Sequence, residues 1–179
     1  MKQQIDAFDY AGHICKAMKT GILLTTKAGE TVNTMTIGWG KIGIEWNKPV
    51  FIVYVRETRY TKQLLEENGE FTVNIPYGTF DNKILGYCGT KSGRDTDKIQ
   101  DLGLTLVESD VVSVPGIRQL PLTLECRVIY KQQQDLDKMP QAVIDRFYPA
   151  IDEAGFRDYH IFRNPVASIA IICFYFTHS

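Results

Sequence analysis

Apolar and polar residues alternate along several stretches of this chain with a period of two, the pattern a β-strand imposes on its two faces. In residues 32–39 (VNTMTIGW), Met35, Ile37 and Trp39 alternate with Thr34, Thr36 and Gly38, which predicts a strand with two unlike faces. Residues 21–26 (GILLTT) precede it, and KAGET between them reads as a hairpin connection. Residues 50–55 (VFIVYV) are apolar on both faces and predict a buried strand. Residues 70–75 alternate through Phe71, Val73 and Ile75, and residues 120–130 place Leu120, Leu122, Leu124, Cys126, Val128 and Tyr130 on one face. The run from Val166 to Phe176, rich in β-branched and aromatic residues, predicts a last buried strand.

Helical signals are fewer and shorter. Residues 58–68 (TRYTKQLLEEN) end at Asn68–Gly69, a common helix terminator. Residues 95–102 stop at Gly103, residues 140–148 are bracketed by Pro140 and Pro149, and residues 9–17 predict one more short helix. Long alternating strands with small peripheral helices and no βαβ rhythm predict a mainly β (α+β) antiparallel barrel, formed by residues 1–179 as one domain.

One charge pattern conflicts with its predicted helix. Thr58 reads as the N-cap of the helix beginning near residue 59, with Arg56 and Arg59 at its start and Glu66 and Glu67 in its last turn. The helix dipole favours the opposite arrangement by about 0.3–1 kcal/mol per charge. Two explanations stand at this level. Either both arginines are solvated or paired with Glu57 and other surface acids, or an anion sits at the helix start. Free N–H groups, the hydroxyls of Thr58 and Thr61, and two guanidinium groups would suit a phosphate.

A second pattern is a decoy. Gly38, Gly40 and Gly43 spell G-x-G-x-x-G after a strand, with Glu57 downstream. Only IEWNKP separates Gly43 from the next strand, too little for a crossover helix of roughly ten residues or more. The segment is expected to be a loop, its glycines allowing tight bends at a barrel rim.

Composition narrows the function classes. The chain has 179 residues and a formal net charge of −1, which does not fit the basic face a nucleic-acid binder needs. The longest apolar run, residues 166–176, is too short for a membrane-spanning helix, and MKQQIDAFDY has no secretory apolar core. Cys15, Cys88, Cys126 and Cys173 are far apart, without CxxC or histidine partners at metal spacing. They are expected to be reduced thiols in a cytoplasmic protein without a bound metal. No catalytic acid–base pair or nucleophile is assigned.

Taken in order, NTMTIGWG, the R-x-T-R-x-T segment at residues 56–61, EFTVNIPYG and GYCGTKSGRDTDK resemble the flavin reductase-like FMN-binding split-barrel proteins, in particular their flavoredoxin-type branch. That resemblance implies a six-stranded antiparallel Greek-key split β-barrel, a homodimer, and non-covalent FMN. It implies that Asn33, Thr34, Met35, Thr36 and Ile37 lie along the flavin ring, their backbone and hydroxyl groups meeting its polar edge. Arg56, Thr58, Arg59, Tyr60 and Thr61 fall on the family's phosphate segment, and Lys91, Ser92 and Gly93 on a loop near the flavin. His160 takes the place of a histidine near the ring in reductase members. Many relatives follow that histidine with a Gly-Glu pair, where this chain has Asn164, Pro165 and Val166. The resemblance implies NAD(P)H as electron donor, with flavin, another small molecule or a redox protein as acceptor. It also implies an alternative, an electron carrier with FMN but no nicotinamide site. Read without it, Met35, Ile37 and Trp39 are equally barrel core, Lys91 an ordinary solvated lysine and His160 structural.

Overall fold

A computed structural model of the chain describes residues 3–148 and the backbone of residues 167–178. In chain order its elements are β1 (Gln3–Gln4), α1 (Ala11–Met18), β2 (Ile22–Ala28), β3 (Thr31–Ile37), β4 (Gly40–Glu45), β5 (Lys48–Val55), α2 (Tyr60–Asn68), β6 (Glu70–Ile75), α3 (Lys83–Thr90), α4 (Lys98–Asp101), β7 (Leu106–Val107), β8 (Gly116–Ile117), β9 (Leu122–Gln133), α5 (Gln141–Phe147) and β10 (Ala167–His178). The main sheet is antiparallel in the order β3-β2-β6-β9-β10-β5-β4, with β1 added on β10.

Every second residue of these strands turns onto one interior. Ile22 and Leu24, Met35 and Ile37, Phe51, Val53 and Val55, Phe71, Val73 and Ile75, and Leu122, Leu124 and Cys126 form a single buried cluster, with Ile14 and Met18 of α1 joining it. A sheet curled around one apolar interior is a barrel. Its split lies between β3 and β4, which follow each other in sequence but do not pair. Each fully buried aliphatic or aromatic side chain contributes roughly 1.5–3 kcal/mol, so the alternation is what closes the sheet. The outer face of β2 is also covered: Leu23 packs with Ile84, Leu85 and Cys88 of α3, and with Leu104, Ile117 and Leu120. No described helix is long and apolar enough to cross a membrane.

Apart from the two-residue strands β1, β7 and β8, the structure adds two elements to those predicted. Residues 40–45, expected as a glycine-bent loop, form the edge strand β4, paired with β5 from Gly40↔Val53 to Glu45↔Lys48. The connecting turn is only Trp46–Asn47, both at positive φ (50° and 58°), the two-residue geometry that matches strand twist. Tryptophan rarely adopts that conformation, so the usual Asn-Gly signal is missing. Gly40 is needed for close packing rather than bending: a Cβ there would lie 2.9 Å from Met18 Sδ and 3.0 Å from the Ile52 carbonyl. The second addition is α3, whose Gly86 and Gly89 disguise its helical character.

The predicted face of β9 holds only in part. Leu122, Leu124 and Cys126 are buried, but the pairing with β10 skips Ile129 and leaves Tyr130 48% exposed. Cys15 is an exposed free thiol and Cys88 a buried one, while Cys126 stands opposite Cys173 in the β9–β10 register.

Candidate functional site

The site lies where β3, the start of α2 and the end of α3 meet. Small side chains let α3 approach β3. A Cβ on Gly89 would sit 3.4 Å from Thr36 Cβ, and Thr36 Oγ1 donates to the Leu85 carbonyl at 2.6 Å. α3 then ends at Lys91, whose extended backbone (φ −90°, ψ 143°) sends Ser92 and Gly93 across the start of α2. Gly93 fits there because it has no side chain: a Cβ would fall 2.1 Å from Asn33 Oδ1 and 2.9 Å from Tyr60 Cδ1. Buried Asn33 in turn donates to Thr61 Oγ1 at 2.8 Å, tying β3 to the first turn of α2.

Helix α2 begins one residue later than its sequence suggests. Arg59, not Thr58, is the N-cap, and no side chain caps the first turn, which contains no acid. At the other end Gly69 terminates the helix in the left-handed conformation (φ 69°) as predicted. The charges at the two ends are resolved differently. Glu66 is paired with Lys62 and Lys131, and Glu57 with Lys62 at 3.3 Å. Among the described residues no acid pairs with Arg59 or Arg56. The pairing with Glu57 is therefore absent, and among the described residues the positive end of the helix keeps an arginine without an acidic partner.

Two adjoining cavities occupy this place. The first, with about 400 Å³ of empty space, is lined by Asn33 of β3, by Thr58 to Thr61 at the start of α2, and by Cys88 and Gly89 of α3. Lys91 to Arg94 and Lys98 complete it. The second, about 540 Å³ and more open, is lined by Ile37, Gly38 and Trp39, with Tyr54 and Arg56 from the end of β5. Met35, Thr36 and Arg59 line both, so the two lie side by side. One end is cationic and rich in hydroxyls; the other is aromatic and flat-walled.

The structure thus brings together Asn33, Met35, Thr36, Ile37, Arg56, Thr58, Arg59, Tyr60, Thr61, Lys91, Ser92 and Gly93. Thr34 lines neither cavity: it is fully buried in the sheet, donating to the Leu24 carbonyl and accepting from Thr25 Oγ1 at 3.0 Å. His160 lies outside the described residues. Of the phosphate-segment residues, Arg56 alone does not line the first cavity. Its guanidinium lies 6.0 Å from the Trp39 ring centre and donates to the Phe147 carbonyl at 3.3 Å, on the second cavity only. Trp39 also meets Phe147 edge-on at 5.4 Å, which ties α5 to that cavity.

Sequence reading missed Arg94, Lys98 and Tyr54, and gave Cys88 no role beyond a reduced thiol. Arg94 Nη1 donates to the Thr58 carbonyl at 3.1 Å and stacks on Tyr60, 5.2 Å from its ring centre. Lys98 is buried, and burial holds its ammonium below the usual lysine range. It stands in the single turn of α4 together with Asp101, so no misplaced charge marked it in the sequence. Burial pushes the Cys88 thiol up to about 11 although Lys98 pulls the other way, so it is no nucleophile at neutral pH.

Comparison with known proteins agrees with this geometry. Residues 16–139 match the family model described as flavin reductase like domain. Among curated relatives, an uncharacterized protein of Archaeoglobus fulgidus is 39% identical over 101 residues, 56% of this chain and 55% of that protein. The uncharacterized protein YddH of Escherichia coli is 31% identical over 98 residues, 54% of this chain and 51% of that protein. The chain thus spans about half the length of these relatives. Among solved structures, the flavoredoxin of Desulfovibrio vulgaris superposes with a TM-score of 0.63 at 21% identity, covering 89% of this chain and 68% of that one. An FMN-binding domain of a flavin reductase-like enzyme from Shewanella baltica gives 0.62 at 13% identity, covering 99% and 77%. These structures share the split-barrel fold.

Proposed function

Because the chain belongs to the flavin reductase-like domain family, we propose that it holds FMN non-covalently across the two adjoining cavities, takes a hydride from NAD(P)H and passes electrons to a flavin, another small molecule or a redox protein. The observation that carries this reading is a cationic pocket at an uncapped helix start lying beside a cavity walled by Trp39 and Tyr54, with Met35, Thr36 and Arg59 common to both. A phosphate ester belongs at the first end and an aromatic ring at the second.

The residues present fit such a ligand. Arg59, the hydroxyls of Thr58, Thr61 and Ser92, and the first N–H groups of α2 would hold the phosphate. Thr61 Oγ1 accepts from Asn33 and so keeps its own O–H to donate. Met35 and Ile37 would wall the ring. Thr36 and Thr34 have hydroxyls committed within the protein, so the ring's polar edge is left to the backbone of β3. β3 ends the sheet, so one row of its backbone groups meets no strand. Bound FMN would supply the redox chemistry, and the protein the placement and charge.

Protein purified with a flavin absorbance band and bleached by NADH or NADPH without oxygen supports the reading. Absence of any flavin on the protein refutes it. A flavoredoxin-like carrier without a nicotinamide site is the second reading, favoured by Asn164, Pro165 and Val166 standing where many reductases have Gly-Glu. It predicts a yellow protein that does not bleach with either nucleotide. Replacing Arg59 and Thr61 together by alanine is expected to weaken FMN binding about tenfold or more, read by calorimetry. The reading includes a cytoplasmic homodimer. Exposed Ile44 (69%) and Trp46 (61%) on the unpaired edge hairpin support the dimer, which sedimentation would detect.

A further inference from the structure

Lys98 is a cation placed where water barely reaches it. The residue is 3% exposed, and its ammonium donates to the Lys91 carbonyl at 3.3 Å; among the described residues it has no acid partner. Three donors therefore share one recorded acceptor. Around it on the first cavity stand the Cys88 thiol from α3 and the guanidinium groups of Arg59 and Arg94. Burial disfavours its charge first of all; the Cys88 thiol acts in the opposite direction, and the nearby Arg59 charge adds to the penalty. Keeping an under-partnered charge buried costs stability. A dianion entering between Lys98 and Arg59 would reverse both the desolvation penalty and the repulsion.

We propose that Lys98 is the buried anchor of the first cavity and makes it selective for a terminal phosphate monoester over an unphosphorylated or pyrophosphate-linked flavin. The inference rests on the FMN reading above and deepens it. A monoester brings nearly two negative charges and three free oxygens at neutral pH, enough to engage Lys98, Arg59 and the hydroxyls together. In a pyrophosphate-linked dinucleotide the flavin-side phosphate has one charge and two free oxygens. Its second substituent would have to share this end of the site with Lys98, Cys88, Arg94 and Tyr60. Lys98 lines this cavity and not the second one, so its effect is confined to the phosphate end.

The test uses Lys98→Met, with Lys98→Gln as a second variant of similar length. Affinities for FMN, FAD and riboflavin are measured by fluorescence quenching, and melting temperatures without ligand by calorimetry. Expected for the variants are a loss of FMN affinity of about tenfold or more, riboflavin affinity unchanged, and a melting temperature at or above that of the wild type. A lysine serving only the fold would do the reverse, lowering the melting temperature and weakening both flavins alike. Wild-type affinity for FAD equal to that for FMN, or variants that bind FMN within about twofold of the wild type, would overturn the proposal. Should the wild type bind no flavin, the FMN reading fails and inorganic phosphate decides the anchor. A phosphate-induced rise in melting temperature lost in Lys98→Met supports it; no rise in the wild type overturns it.

Discussion

Gly93→Ala tests the geometry of the site without touching a charge. The new methyl group would lie 2.1 Å from Asn33 Oδ1, 2.8 Å from Asn33 Cγ and 2.9 Å from Tyr60 Cδ1. Ordinary carbon contacts begin near 3.5 Å, so a neighbour must move by more than an ångström. Asn33 is 4% exposed and its amide is bonded to Thr61, so it has little room. Overpacking at a buried position costs about 1–3 kcal/mol. Rotating Asn33 away adds the net value of the lost Thr61 bond, about 1 kcal/mol. The sum, about 2–4 kcal/mol, corresponds in a chain of this size to a fall in melting temperature of about 4–16 °C. Calorimetry of the ligand-free protein reads it directly. Gly43→Ala is the control: its Cβ would meet nothing within 4 Å, and it should melt with the wild type. If the loop instead swings outward, the stability loss shrinks, but Lys91 and Ser92 leave the cavity and FMN affinity falls. A Gly93→Ala protein that melts within about 1 °C of the wild type and binds FMN equally well would refute the reasoning, because neither Asn33 nor the loop would then have moved.

Arg56→Ala should weaken FMN and riboflavin by the same factor, roughly 2–30-fold for loss of one cation over an aromatic wall, because Arg56 lines only the second cavity. A loss confined to FMN would return Arg56 to the phosphate. Stability should fall as pH drops below about 4.3, the unfolded carboxyl range. Lys131 and Lys62 hold Glu66 below it, and for Glu70 the hydroxyl and N–H of Ser113 with Arg127 outweigh the upward push of burial. The folded chain keeps these carboxylates charged to lower pH than the unfolded chain does, so protonating them favours unfolding. Urea midpoints from pH 6 to pH 3 should show a shallower decline for Glu70→Gln. Iodoacetamide at pH 8 should label Cys15 quickly and leave Cys88 untouched until urea unfolds the chain, as site-resolved mass spectrometry would show.

The sequence by itself determined the strands, because period-two alternation is a local property that survives any arrangement of the pieces. It also exposed the cationic end of the site, since the misplacement of Arg59 is visible within one turn of helix. Where the local signal was weak, reading failed. Trp46–Asn47 occupies a turn that usually asks for Asn-Gly, so β4 passed for a loop, and glycines hid α3, which packs on β3 through the Thr36–Leu85 hydrogen bond. Arg56 and Arg59, three residues apart, looked like one pair. Tertiary structure alone decided that Arg56, at a β-strand end, lines only the second cavity, while Arg59, at the helix start, lines both. It alone carried Lys98 across thirty-nine residues of chain to Arg59, through the packing of α3 on β3. Burial and charge proximity depend on which distant segments meet, and no local pattern encodes that meeting.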